Sequence, residues 1–200
     1  MFNKVLVINP HFDDGILGAG GTLSRFIEEG KEVWYVILSW LEQGTNIPEI
    51  ENALLTLGIK RENIIIWNYP VRRFNEHRQE ILDDFIKLRT KIAPELVLCH
   101  STDDRHQDHE IARQEAYRAF RWGSMWGYEL SWNTRHFKAD IFVSLYRRNI
   151  ENKIKALNCL ESQRARKYYD PKRREANAIA MGEKIGQDFC EVFENISQVI

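Results

Sequence analysis

The stretch that decides the fold is Lys4-Val5-Leu6-Val7-Ile8-Asn9-Pro10-His11-Phe12-Asp13-Asp14-Gly15. Lys4–Ile8 (KVLVI) is a short, unbroken apolar run rich in β-branched residues, which predicts a strand buried on both faces of a parallel sheet. A Gly-bearing turn then leads to an expected helix over Ala19–Glu29, stopped by Gly30. The alternation continues with strand Glu32–Leu38, helix Ile47–Leu57 closed by Gly58, and strand Asn63–Trp67. Helix Asn75–Ala93 ends before Pro94, and strand Leu96–His100 and helix Asp108–Arg121 follow. This order predicts an α/β fold: a Rossmann-like, three-layer, doubly wound, mostly parallel sheet. Tyr128–Trp132 and Ile141–Leu145 are expected strands, and Asn149–Ser162 and Lys172–Ile185 expected helices. With no break in composition, they read as C-terminal additions to a single domain over residues 1–200.

The chain carries 28 Lys and Arg against 29 Asp and Glu, a formal net charge of −1, which excludes a broad electrostatic grip on nucleic acid. Cys99, Cys159 and Cys190 are odd in number and far apart, so a reducing cytoplasm is the simplest home. No stretch approaches the ~20 apolar residues of a membrane span. Small-molecule chemistry is the remaining expectation, and a homo-oligomer is compatible with it.

Open α/β sheets place their chemistry at the carboxyl ends of strands, near the point where strand order reverses. His11, Asp13 and Asp14 directly follow the first strand, and His106, Asp108 and His109 follow the fourth. Juxtaposed, they supply three imidazoles and three carboxylates to one cleft. A catalytic zinc takes three such ligands and leaves a position for water, with groups over for proton transfer. A phospho-receiver is excluded because Trp67-Asn68-Tyr69-Pro70 supplies no Asp after the third strand. A dinucleotide loop at Gly18-Ala19-Gly20-Gly21 is excluded because the third glycine of that motif falls at Leu23.

At these residues the chain resembles the LmbE-like, or PIG-L, family of zinc-dependent N-deacetylases. The matching motifs are Pro10-His11-Phe12-Asp13-Asp14-Gly15 and His106-Gln107-Asp108-His109, with Leu17-Gly18-Ala19-Gly20-Gly21-Thr22-Leu23 and Leu57-Gly58 between them. The tail, with Glu161-Ser162-Gln163, Tyr168 and Glu191-Val192-Phe193-Glu194, resembles a subgroup found with bacterial surface-polysaccharide and sugar genes. The resemblance implies that His11, Asp14 and His109 bind Zn²⁺ and that Asp13 is the general base. It implies a protonated His106 stabilising the oxyanion or assisting the leaving amine, with Asp108 orienting it. The implied substrate is a small N-acetylated amino sugar or its conjugate. Phe12 replaces the family's usual Pro and Gly15 its usual acid, and no Arg stands between Thr45 and Leu57. The missing acid and Arg read as two halves of one absent ion pair.

On the substrate side, Trp132 and Asn133 are expected at a strand end, where a flat ring suits a pyranose. Arg72 and Arg73 follow the third strand and suit a phosphate or carboxylate. The basic run from Arg164 to Arg174 reads first as a solvated helix surface, and otherwise as a contact for a nucleotide diphosphate or a lipid phosphate. Two alternatives stand beside N-deacetylation: hydrolysis of another amide or an O-acetyl ester at the same site, and a non-catalytic sugar- or nucleotide-binding module.

Overall fold

A computed structural model describes residues 2–40 and 46–199. Seven strands form one sheet: β1 (Lys4–His11), β2 (Glu32–Ser39), β3 (Ile64–Ile66), β4 (Leu96–His100), β5 (Ser124–Tyr128), β6 (Ile141–Leu145) and β7 (Phe189–Ser197). Their order is β3-β2-β1-β4-β5-β7-β6. The first five are mutually parallel, and β7 runs antiparallel between β5 and β6. Six α-helices accompany them: α1 (Asp14–Glu28), α2 (Ile47–Leu57), α3 (Arg78–Ile92), α4 (Gln107–Phe120), α5 (Arg147–Asn158) and α6 (Pro171–Glu183).

Alternation along β1 sorts the core into two layers. Val5 and Val7 face α1, α2, α5 and α6, while Leu6 and Ile8 face α3 and α4. The first two crossovers lie on one face and the next two on the other, so strand order reverses between β1 and β4. The ends of those two strands, His11 and His100, lie at the switch point.

Three expectations are corrected. The turn after β1 is shorter than its glycines suggest, and α1 already begins at Asp14. Those glycines serve close packing: a Cβ on Gly18 would lie 2.4 Å from Tyr128 Cδ2. The strand expected at Tyr128–Trp132 lies at Ser124–Tyr128, because β5 pairs residue for residue with β4 and ends beside His100. Leu130–Thr134 is instead a hydrogen-bonded turn. The C-terminal strand β7 escaped the sequence reading because Glu191 and Glu194 interrupt its apolar pattern, yet both are buried.

Their burial has a structural reason. Glu191 Oε1 and Oε2 accept the N–H groups of Gly21 (3.0 Å) and Thr22 (2.6 Å) in the middle of α1. Lys153 Nζ donates to Leu17 O and to Glu191 Oε1, each at 2.7 Å. Burial pushes the Lys153 ammonium below the usual lysine range, and the Glu191 charge opposes that shift. Glu194 accepts both the N–H (2.6 Å) and the hydroxyl (2.5 Å) of Thr102, in the loop after β4. Strand β7 thereby ties together the two segments that carry the sequence motifs.

Replacing Glu191 with Gln leaves the buried ammonium without its counter-charge. The expected loss is about 3–5 kcal/mol of unfolding free energy in a urea titration. A variant as stable as the parent contradicts the pairing.

Candidate metal and catalytic site

The site forms where β1 ends and α1 begins, facing the loop from β4 into α4. His11 is the last residue of β1, Asp13 precedes α1, and Asp14 opens its first turn. Asp14 Oδ2 accepts the His11 N–H at 2.8 Å, which turns this carboxylate back over the strand end. Across the switch point, His106 caps α4, and Asp108 and His109 lie in its first turn.

Three donor atoms converge. His11 Nδ1 stands 3.1 Å from His109 Nε2, and Asp14 Oδ2 stands 3.4 Å and 3.5 Å from those two nitrogens. A metal about 2.0–2.1 Å from each ligand in tetrahedral geometry separates its donors by about 3.3–3.4 Å. The triangle therefore fits such an ion as it stands. Two overlapping sets also close within metal-binding range, His11–His106–His109 and Asp14–His100–His109. His109 belongs to both sets and to the triangle, while His11 belongs to one set and Asp14 to the other.

The surrounding carboxylates fix the imidazoles. Asp104 Oδ2 accepts from His109 Nδ1 (2.9 Å) and from His100 Nδ1 (3.1 Å), so His109 presents an unprotonated Nε2 to the cluster. Asp108 Oδ2 faces His11 Nε2 at 3.3 Å and accepts the Arg72 N–H at 2.7 Å. Burial opposes ionisation of Asp14, but the charges of His109, His100 and His11 hold it well below the carboxylate range. Burial and the His100 charge push His109 down to about 4. Burial also disfavours the His11 cation, yet Asp14 and Asp108 carry its pKa up to about 10. His11 is therefore the imidazole that favours its cation and His109 the one that favours its neutral form, so an ion held by both would displace the His11 proton.

The six residues His11, Asp13, Asp14, His106, Asp108 and His109 are brought together, with two differences from expectation. Asp108 directs its carboxylate at His11, and only its backbone N–H meets His106, at Nδ1 (3.1 Å). Burial and the His11 charge lower the pKa of His106, so the half-buried ring is neutral and presents an Nε2–H donor. Gly15 has a steric explanation: a Cβ there would lie 2.2 Å from Asn9 Oδ1 and 2.9 Å from the Tyr35 hydroxyl, leaving no space for an acid. Thr45, at one end of the segment lacking an Arg, lies outside the described residues.

Arg72 approaches through its backbone. It is held at φ +66°, in the left-handed region, while its carbonyl accepts from Gln107 Nε2. Arg73 pairs with Glu76 at 3.0 Å. Trp132 stacks on Tyr168 with ring centroids 4.2 Å apart, so a neighbouring ring already covers one of its faces. Asn133 lies in the turn beside the loop that leads into α4, its carbonyl accepting from Arg105 N. Three further members, His100, Asp104 and Tyr169, were absent from the sequence reading. The Tyr169 hydroxyl donates to Asp13 Oδ2 across 156 positions of sequence, and no local pattern signals that contact. His100 was visible as the last residue of a strand at the switch point, and Asp104 lies four residues beyond it.

Comparison with known proteins bears on this geometry. Residues 6–120 match the family model PIG-L, GlcNAc-PI de-N-acetylase. A relative from Escherichia coli (strain K12), described as the uncharacterized deacetylase YaiS, is 28% identical over 164 residues, covering 76% of this chain and 88% of its own length. The diacetylchitobiose deacetylase of Thermococcus kodakarensis is 39% identical over 54 residues, covering 27% of this chain and 20% of its own. The crystal structure of the conserved protein TT1542 from Thermus thermophilus superposes with a TM-score of 0.79 at 25% identity, covering 100% of this chain and 97% of that one.

The His11 proton must leave when a divalent ion binds. Calorimetric titration of metal into the metal-free protein at pH 7, in buffers of different ionisation enthalpy, is expected to show release of about one proton. Affinity rises with pH until His11 deprotonates near 10. A buffer-independent enthalpy contradicts this proton inventory.

Proposed function

The chain belongs to the PIG-L family of GlcNAc-PI de-N-acetylases, and from that premise we propose that it removes the acetyl group from an N-acetylated amino sugar with zinc at His11, Asp14 and His109. The family is one of amide-hydrolysing deacetylases, and two relatives carry that description. The observation that carries the reading is the donor triangle, with edges of 3.1, 3.4 and 3.5 Å, beside a carboxylate and an imidazole N–H donor. Zinc supplies a Lewis acid that acidifies water and polarises an acyl carbonyl.

The chain's own groups supply the proton transfers. The Tyr169 hydroxyl holds Asp13 Oδ2, while burial and the Asp13 charge raise the Tyr169 pKa well above its ordinary value, so it stays a phenol. Asp13 takes the proton of the water that attacks the acetyl carbon. His106 spends Nδ1 on the Asp108 N–H, which directs its Nε2–H to the carbonyl oxygen as negative charge develops there. The C–N bond then breaks, and the proton held by Asp13 passes to the departing nitrogen. The products are acetate and the free amine. Asp108 acts through His11, whose ring it orients, and the Arg72 N–H fixes Asp108 in turn. Trp132 and Asn133 belong in this reading to the wall that receives the sugar, and the guanidinium of Arg72 to its rim. No helix among the described residues is long and apolar enough to cross a membrane. The three cysteines are free.

Asp13→Asn is expected to retain its zinc and to lose at least about a hundredfold in kcat. Asp14→Ala and His109→Ala are expected to lose the metal itself. Elemental analysis, together with amine release from N-acetylated sugars, reads both quantities. Full turnover by the Asp13 variant, or full zinc in either ligand variant, overturns the assignment.

A further inference from the structure

The largest local charge excess outside the metal cluster lies between positions 161 and 174. Six cations (Arg164, Arg166, Lys167, Lys172, Arg173 and Arg174) face two carboxylates, Glu161 and Asp170, in a chain whose net charge is −1. This segment does not present a continuous helix face. Two 3₁₀ turns, Glu161–Gln163 and Lys167–Tyr169, wrap it around an open cavity of about 480 Å³, between the end of α5 and the first turn of α6. Arg164, Arg166, Lys167 and Arg173 line that cavity, with Asp170 and Tyr169.

The acids of the segment answer part of that charge, and Glu129 faces Arg174 from outside it. Asp170 caps α6, accepting the Lys172 N–H at 3.0 Å, and its other oxygen stands 3.8 Å from Arg173. Glu161 stands 3.4 Å from Arg164. Arg166 lies against the ring and hydroxyl of Tyr168. Several like charges around a concavity reinforce one another, and the amino end of α6 adds to their field. The volume falls in the range of small-ligand sites. Tyr169 is the wall that this cavity shares with the chemistry: it lines the cavity, and its hydroxyl donates to Asp13.

We propose that this cavity receives the anionic arm, a phosphate or diphosphate ester, of the N-acetylated sugar whose acetamide lies at the metal cluster. The inference rests on the deacetylase reading and narrows its substrate to a phosphorylated class. Arginine forks match phosphoryl oxygens in pairs, and their exposure makes the contact sensitive to salt.

The test compares kcat/KM of the zinc-loaded protein for N-acetylglucosamine, its 1-phosphate and a nucleotide-diphosphate derivative. The phosphorylated sugars are expected to be preferred by at least about tenfold at low salt, with the preference shrinking as salt rises. The double variant R164E/R173E is expected to lose that preference. R121E, which changes net charge at a distant surface position, is expected to keep it. Equal kcat/KM for neutral and phosphorylated sugars, or a preference that survives R164E/R173E, overturns the proposal. If none of the sugars is deacetylated, the deacetylase reading fails on its own, and calorimetry with inorganic pyrophosphate decides the cavity. Binding by the parent that is lost in R164E/R173E supports an anion site, and no binding by the parent overturns it.

Discussion

The site is organised by the carboxylate of Asp14. One oxygen, Oδ2, accepts the amide of His11 and lies within 3.5 Å of ring nitrogens from His11, His100 and His109. So dense a cluster of donors, buried at the head of a helix, is stable only with positive charge at its centre. In the metal-free protein, protons on the imidazoles supply that charge. A divalent ion supplies it with less crowding of like atoms. The sequence meets this demand by placing two strand ends side by side, one bringing His11 and the other His100.

The rest of the molecule holds those two ends in register. Asp104 locks the rings of His109 and His100, and Asp108 locks the far side of His11. Strand β7 then reaches back to both motif segments through Glu191 and Glu194. Buried carboxylates are costly unless they accept enough hydrogen bonds, and here each accepts two or more. The appended C-terminal part also brings Tyr169 to Asp13.

What could be read in advance follows from the range of each signal. The parallel core was legible because KVLVI, EVWYVIL and LVLCH are local apolar runs, and strand–helix alternation constrains topology strongly. Both motifs were legible because each is a short segment at a strand end. The tautomer of His106, the direction of the Asp108 side chain and the reach of Tyr169 depend on neighbours remote in sequence. Strand β7 was hidden because the buried glutamates that make it useful break the pattern that identifies strands. The cavity formed by residues 161–174 was hidden because a basic run reads alike whether it coats a helix or lines a hollow.

The measurement closest to the central claim is a zinc titration of the metal-free protein, with acetate release from an N-acetylated amino sugar as the signal. The account predicts that activity rises linearly to about one equivalent of zinc per chain and then levels off. Undiminished turnover by the metal-free protein would contradict it.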